Sequence, residues 1–295
     1  MNFDLLKIVF ISLLAACFNS NVNGQAEGES EARTIIIRKP AVVLNAVKNN
    51  TDTLTLEKTN IEDCYHALII GINNYNDPGL PDLDNPIRDA DSLYKTLTGK
   101  YLFKPGNVIL LKDPGRADII KQLDRLSSRI TENDNLIIFY AGHGSWDIKK
   151  ETGFWLPSDA DRSSSVNWLR NSTIKDFVED INSKHTLLIT DACFAGSIFK
   201  SREGFADAPA SINKLYSLPS RKAMTSGTLE QVPDRSVFLQ YLMKRLNEND
   251  EKYMSARTLF NSLSEAVLNN SPNVPQYGVI QGTGDEGGDF ILILR

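Results

Sequence analysis

Two short segments of the 295-residue chain hold residue types able to do covalent chemistry: Ala141-Gly142-His143-Gly144 and Asp191-Ala192-Cys193. A cysteine thiolate is a strong nucleophile, and it needs a base within hydrogen-bond reach to manage protons. Gly142 and Gly144 flank the histidine and leave room for a substrate backbone. The N–H groups of Gly144 and Cys193 suit the stabilisation of a developing oxyanion. Three cysteines and three histidines give nine Cys–His pairings, so the reactive pair must be chosen by position in the fold.

The hydrophobic pattern supplies that position. His66–Ile72 (HALIIGI), Leu136–Tyr140 (LIIFY) and Thr186–Thr190 (TLLIT) are continuous apolar runs, as strands covered on both faces require. Val108–Leu111 reads as a further strand. Between them Ile87, Ala90, Leu93, Tyr94 and Leu97 recur at helical spacing after Asn85-Pro86, with Gly99 as a stop. Ile119, Ile120, Leu123, Leu126 and Ile130 mark a second amphipathic helix. Trp168–Ile181 reads as helix, capped by Ser172 or Thr173. Later helices are expected at 235–247 and 255–268, and a closing strand at Phe290–Leu294. Strands alternating with helices predict one α/β domain over residues 64–295, with a mostly parallel sheet between helical layers.

In such a sheet, sites form beyond the carboxyl ends of the strands. His143 and Cys193 follow the ends of successive buried strands. Taken singly, a cysteine after an apolar strand is a small core residue and Gly-His-Gly is a turn. Together, at neighbouring strand ends, they read as a catalytic pair. Cys64 and His66 enter the first strand and read as packing or edge residues. His185 precedes the fourth strand, opposite the site, and reads as solvated.

The N-terminus removes Cys17. Lys7 is followed by an apolar run, Ile8–Ala16, too short to span a bilayer and suited to a secretory leader over residues 1–24. Leu14-Ala15-Ala16-Cys17 resembles a bacterial lipobox, whose cysteine is acylated; cleavage near residues 22–26 is the alternative. Either way the protein is expected outside the cytoplasm, in the periplasm, secreted or anchored to the cell envelope, with membrane attachment only through a lipid on Cys17. Residues 25–63 read as a linker or pro-segment.

Composition closes off other classes. A net charge of −5 argues against broad nucleic-acid binding, which needs a basic face. Three cysteines make no disulfide scaffold, and a four-ligand Cys/His zinc site would consume most of the supply. No Walker A loop is present, and Gly284-Asp285-Glu286-Gly287-Gly288 is acidic where phosphate binding wants positive charge.

On these residues the chain resembles the caspase-like cysteine peptidases, and within them the metacaspases and their bacterial relatives. HALIIGINNY (66–75) resembles the first strand and loop of that group. LPDLDNPIRDADSLYKTL (80–97) resembles its first helix, IIFYAGHGS (137–145) its histidine motif and DACFAGS (191–197) its cysteine motif. AMTSGTLEQVPD (223–234) resembles the strand that walls its substrate groove. The 50 residues between His143 and Cys193 are the separation seen in caspases, although the animal signature Gln-Ala-Cys-Arg-Gly is absent. The resemblance implies a three-layer α/β/α caspase-like fold. It also implies a cysteine endopeptidase with His143 and Cys193 as the dyad and Gly144 contributing to the oxyanion site.

The resemblance further implies a preference for peptides cleaved after arginine or lysine. Asp191 and Asp89 match the acids lining the primary pocket, and Ser226 lies in the wall strand. A carboxylate in a partly dry pocket pairs with a cation and repels an acidic side chain. From its residue type alone, Asp89 reads equally as a helix-start carboxylate that favours the dipole. Ala141 stands where family members often have serine. Residues 200–222, with Lys200, Arg202, Lys214, Arg221 and Lys222, read either as a self-cleavage linker or as an ordinary exposed insertion. No cofactor and no metal ligand set is assigned. Calcium activation occurs in the family, and Asp147, Asp159 and Asp161 are the nearest acids, but they match no EF-hand pattern. The rival reading is an inactive caspase-like binding or scaffold module.

Overall fold

The computed structural model describes residues 64–192, 215–227 and 234–295. The leader, residues 25–63, Cys17, Cys193, Lys200, Arg202 and Lys214 lie outside the described residues.

In chain order the elements begin with β1 (Tyr65–Gly71), α1 (Pro86–Lys100), β2 (Val108–Lys112), α2 (Arg116–Arg129) and β3 (Asn135–Ala141). Next come β4 (Gly144–Asp147), β5 (Thr152–Trp155), β6 (Leu169–Arg170), α3 (Asn171–Asp180) and β7 (His185–Asp191). The chain closes with β8 (Ser220–Thr225), α4 (Val237–Glu248), β9 (Tyr253–Ser255), α5 (Ala256–Asn270), β10 (Gln276–Val279) and β11 (Ile291–Ile293).

The central sheet has the order β10-β8-β7-β3-β1-β2. Its first five strands in sequence run parallel, and β10 pairs antiparallel with β8 at the edge. Every residue of β1, β3 and β7 is buried, which is why these strands read as unbroken apolar runs. Side-chain alternation sorts them into two cores. Ala67, Ile69, Ile137, Phe139, Leu187 and Ile189 pack with Leu93 of α1, Leu242 of α4 and Leu259 of α5. Leu68, Ile70, Leu136, Ile138 and Leu188 pack with Leu123 of α2 and Val178 of α3. The sheet therefore lies between two helical layers, as expected.

Several local expectations shift. Trp168–Arg170 is not helical: β6 pairs with β5, and α3 starts at Asn171 behind Arg170, with no side-chain cap. The closing strand lies outside the main sheet and pairs antiparallel with β9. His185 is not solvated: it is fully buried as the first residue of β7. Its Nδ1 lies 2.6 Å from Asn135 Oδ1 and its Nε2 donates to the Leu218 carbonyl at 3.1 Å. Burial holds its pKa down at about 4. Arg221 and Lys222 are not loop residues but lie in β8, 5% and 3% exposed. The Arg221 guanidinium donates to the carbonyls of Ser183 (2.7 Å), Ser220 (2.9 Å), Val178 and Lys184 (each 3.3 Å) and Ile181 (3.4 Å). Lys222 pairs with buried Asp285 at 3.0 Å. Neither is accessible to a peptidase.

Candidate active site

The chain crosses from β1 to β2 on one side and returns to β3 on the other, so a crevice opens at the carboxyl ends of β1 and β3. The strand ends are tied together there. Ile72 N–H donates to the Ala141 carbonyl at 3.0 Å and Ser226 N–H to the Thr190 carbonyl at 3.1 Å. Gly71 ends β1 under the start of α1. A Cβ there would lie 2.7 Å from the Pro86 carbonyl oxygen and 2.9 Å from Ala90 Cβ, so glycine is what lets α1 begin so close to the sheet.

His143 leaves β3 after Gly142 and is held on three sides. Its backbone N–H donates to the Tyr75 hydroxyl at 2.7 Å. Its carbonyl accepts from the Tyr140 hydroxyl at 2.7 Å and from Leu156 N–H at 3.0 Å. Its ring packs on Tyr75, centroids 4.8 Å apart. Nε2 donates to the Pro81 carbonyl at 2.8 Å, which selects the Nε2–H tautomer and leaves Nδ1 for proton transfer. Tyr140 is braced by Trp155, stacked at 4.3 Å. Gly142 is enclosed by this cage: a Cβ would meet the Tyr75 hydroxyl at 3.0 Å and the Tyr140 hydroxyl at 3.1 Å.

Gly144 opens β4 opposite Trp155. Since the His143 carbonyl bonds Leu156 N–H, alternation along an antiparallel ladder makes Gly144–Trp155 a non-bonded pair and turns the Gly144 N–H away from β5.

Asp191 ends β7, and its place in the alternation after Leu187 and Ile189 turns it to the layer of α1 and α4. It is 7% exposed and accepts from Ser236 Oγ at 2.9 Å. Ser236 is the N-cap of α4, and its hydroxyl also accepts from Leu239 N–H at 3.2 Å. Ser226 is buried beside the carboxylate, near enough to favour its charge but without an ordinary hydrogen bond. Burial, with the Asp89 charge nearby, pushes the Asp191 pKa up to about 7 against the pull of the two serines. Asp89, in the first turn of α1, is likewise raised, first by burial and also by Asp234, against the nearby Arg88. The Arg88 guanidinium is 3.7 Å away and 65% exposed.

The structure thus brings His143, Gly144, Asp191, Asp89 and Ser226 to one end of the sheet. Sequence reasoning missed Tyr75 and Pro81, which hold the histidine, and Asp234 and Ser236, which stand at the acids. Ser236 was visible in outline as a serine before the apolar run Val237-Phe238-Leu239. Of the acids considered for calcium, Asp147 accepts from Lys149 and Lys150 N–H and Asp161 from Ser163 N–H, all close in sequence, while Asp159 accepts from Arg116 N–H, 43 residues away.

Residues 64–283 match the caspase domain (Peptidase_C14). Metacaspase-1 of Saccharomyces cerevisiae is 33% identical over 86 residues, covering 26% of this chain and 19% of that protein. Metacaspase-1 of Eremothecium gossypii is 30% identical over the same length and shares. The chain thus spans about a fifth of the length of these curated relatives. Caspase-1 from Spodoptera frugiperda shares the fold, with a TM-score of 0.53 at 17% identity over 74% of this chain and 86% of that one. With most of its length matched by the family model, the chain belongs to the caspase-domain family, a family of cysteine peptidases.

Proposed function

We propose that the chain is a cysteine endopeptidase that cleaves after arginine or lysine, with Cys193 as nucleophile and His143 as its proton carrier. One observation carries this reading. Ala141 and Asp191 are register partners on adjacent parallel strands, and His143 and Cys193 each follow their strand's paired residue by two positions. Adjacent strands run about 4.8 Å apart, so the strand residues two positions before His143 and Cys193 lie side by side at the carboxyl end of the sheet.

In this mechanism the basic side chain of the substrate enters between Asp191 and Asp89, beside Ser226. The Cys193 thiol passes its proton to His143 Nδ1, the resulting thiolate adds to the scissile carbonyl, and the N–H groups of Gly144 and Cys193 take the oxyanion. His143, its Nε2–H fixed on Pro81, delivers a proton from Nδ1 to the leaving amine as the C–N bond breaks. Water then adds to the thioester, His143 accepts its proton, and the thiolate leaves. No cofactor takes part in these steps.

The test is turnover of an arginyl reporter peptide by the mature protein, with a Cys193→Ala control, in calcium and in chelator. Loss of turnover in the variant supports the dyad, and the two metal conditions decide calcium activation. Turnover surviving in Cys193→Ala overturns the assignment; no turnover in either protein favours the inactive binding module.

The same proposal extends to self-processing at Lys200, Arg202 or Lys214, the basic residues of 200–222 that precede β8. Equal intact masses for the protein and Cys193→Ala would exclude it. Export through the residue 1–24 leader, in a bacterial host, is proposed on sequence grounds, and the mass of the mature N-terminus distinguishes lipidated Cys17 from simple cleavage.

A further inference from the structure

We propose that Asp234 is a positioning residue for the basic-specificity pocket, anchoring the start of α1 so that Asp89 faces the same space as Asp191. The proposal rests on the reading of Asp89 and Asp191 as pocket walls.

Asp234 uses both oxygens on the segment that begins α1. Oδ1 accepts from Asp84 N–H at 2.9 Å and Asn85 N–H at 3.1 Å, and Oδ2 from Asn85 Nδ2. Asn85 is the N-cap of α1, and its side chain caps no N–H of the helix because it is turned to Asp234. Its carbonyl accepts from Asp89 N–H at 3.0 Å. A continuous chain of contacts therefore runs from Asp234 through Asn85 to Asp89. The other tie at this helix start is Asn73, whose Oδ1 accepts from Ile87 N–H at 2.8 Å.

Two residues further on, Ser236 donates to Asp191. The stretch 234–236 thus reaches both acids from one short piece of chain, holding one by its helix and the other by its oxygen. A carboxylate is the right group at 234. It offers acceptors only, to three N–H donors, and its charge sits at a helix N-terminus, where the dipole favours it. Asparagine there would set an NH2 against a donor.

The experiment compares the wild type, Asp234→Asn, Asp89→Asn and the double variant on arginyl and uncharged reporters, with amide hydrogen exchange followed at Asp84, Asn85 and Asp89. The expected result is a rise of about 10-fold in KM for the arginyl reporter with kcat changed far less. The uncharged reporter should be little affected, and the three amides should exchange faster. Because Asp234 acts through Asp89, the double variant should be no worse on the arginyl reporter than Asp89→Asn alone. Asn85→Ala, which removes only the Nδ2 contact, should show the same pattern at smaller amplitude and serves if Asp234→Asn does not fold. Fully additive effects, equal losses on both reporters, or unchanged exchange at Asp89 would overturn the proposal. A wild type indifferent to charge would overturn it together with the specificity reading. That case is told apart from failure of the anchor by the Asp89 exchange rate.

Discussion

Ala141 and Asp191 stand opposite each other at the last rung of the β3–β7 ladder. That ladder keeps an offset of 50 residues from Asn135 and His185 at its other end. The separation of His143 from Cys193 in the sequence is the same 50, so the spacing of the proposed reactive pair equals the offset of the two strands.

The mooring of His143 sets the first prediction. Tyr75→Phe removes the acceptor for the His143 N–H. Leaving that partly buried donor unpaired should cost about 1–3 kcal/mol, read as a lower urea midpoint. It should also reduce kcat on an arginyl reporter by about 10-fold or more as the ring loses its fixed position. Unchanged kcat would show that the ring contact and the Pro81 carbonyl hold the imidazole by themselves.

Gly142→Ala tests the same cage from inside. The added methyl would sit 3.0 and 3.1 Å from two tyrosine hydroxyls that both bond His143. Overpacking of this kind costs about 1–3 kcal/mol. Activity should fall further than stability, because the atoms forced to move are those orienting the histidine. Comparing thermal melts with turnover separates the two.

Asp191 makes stability depend on pH. Its folded pKa of about 7 lies above the ordinary value of 3.8. Between these values the folded chain keeps a proton that the unfolded chain has released. The associated stability is complete below the unfolded pKa and is lost as pH rises through about 7. Asp191→Asn has no such proton to lose. Its Tm relative to the wild type should therefore climb from pH 5 to pH 8, while its preference for arginyl over uncharged reporters disappears. Parallel Tm curves would refute the assignment of the buried charge.

Arg221→Ala should be the most damaging single change away from the site. It strips partners from five carbonyls around the end of α3 and the entry to β7 and β8. A loss of about 3–5 kcal/mol is expected, measured by urea unfolding. A change below 1 kcal/mol would mean that water replaces the guanidinium.

The three strands buried on both faces were legible because double burial leaves consecutive apolar residues in the middle of β1, β3 and β7. The helices showed their 3.6-residue stripes. The β4–β5–β6 sheet was not legible: its strands have two to four residues, and β4 is only half-buried. His185, ahead of the fourth strand and opposite the site, looked solvated because nothing nearby in sequence announces that Asn135 and Leu218, 50 and 33 residues away, close over it. That His143, Asp191 and Asp89 lie at one end of the sheet could be read from strand ends and family motifs. Their supports could not, since Pro81 lies 62 residues from His143 and Asp234 lies 149 from Asn85. Contacts at that range leave no local periodicity to find.

That long reach has a consequence for synthesis. A growing chain that has delivered β1 to β7 already carries Tyr75, Pro81 and His143, and so everything seen to orient the imidazole. It still lacks Asp234 and Ser236, which tie down the α1 start and Asp191. The groups that orient His143 are thus all synthesised before those that hold Asp191 and the start of α1. A chain truncated before residue 234 would carry every partner seen on the histidine, yet lack Asp234 and Ser236 at the two acids and both α4 and α5, which with α1 cover one face of the sheet.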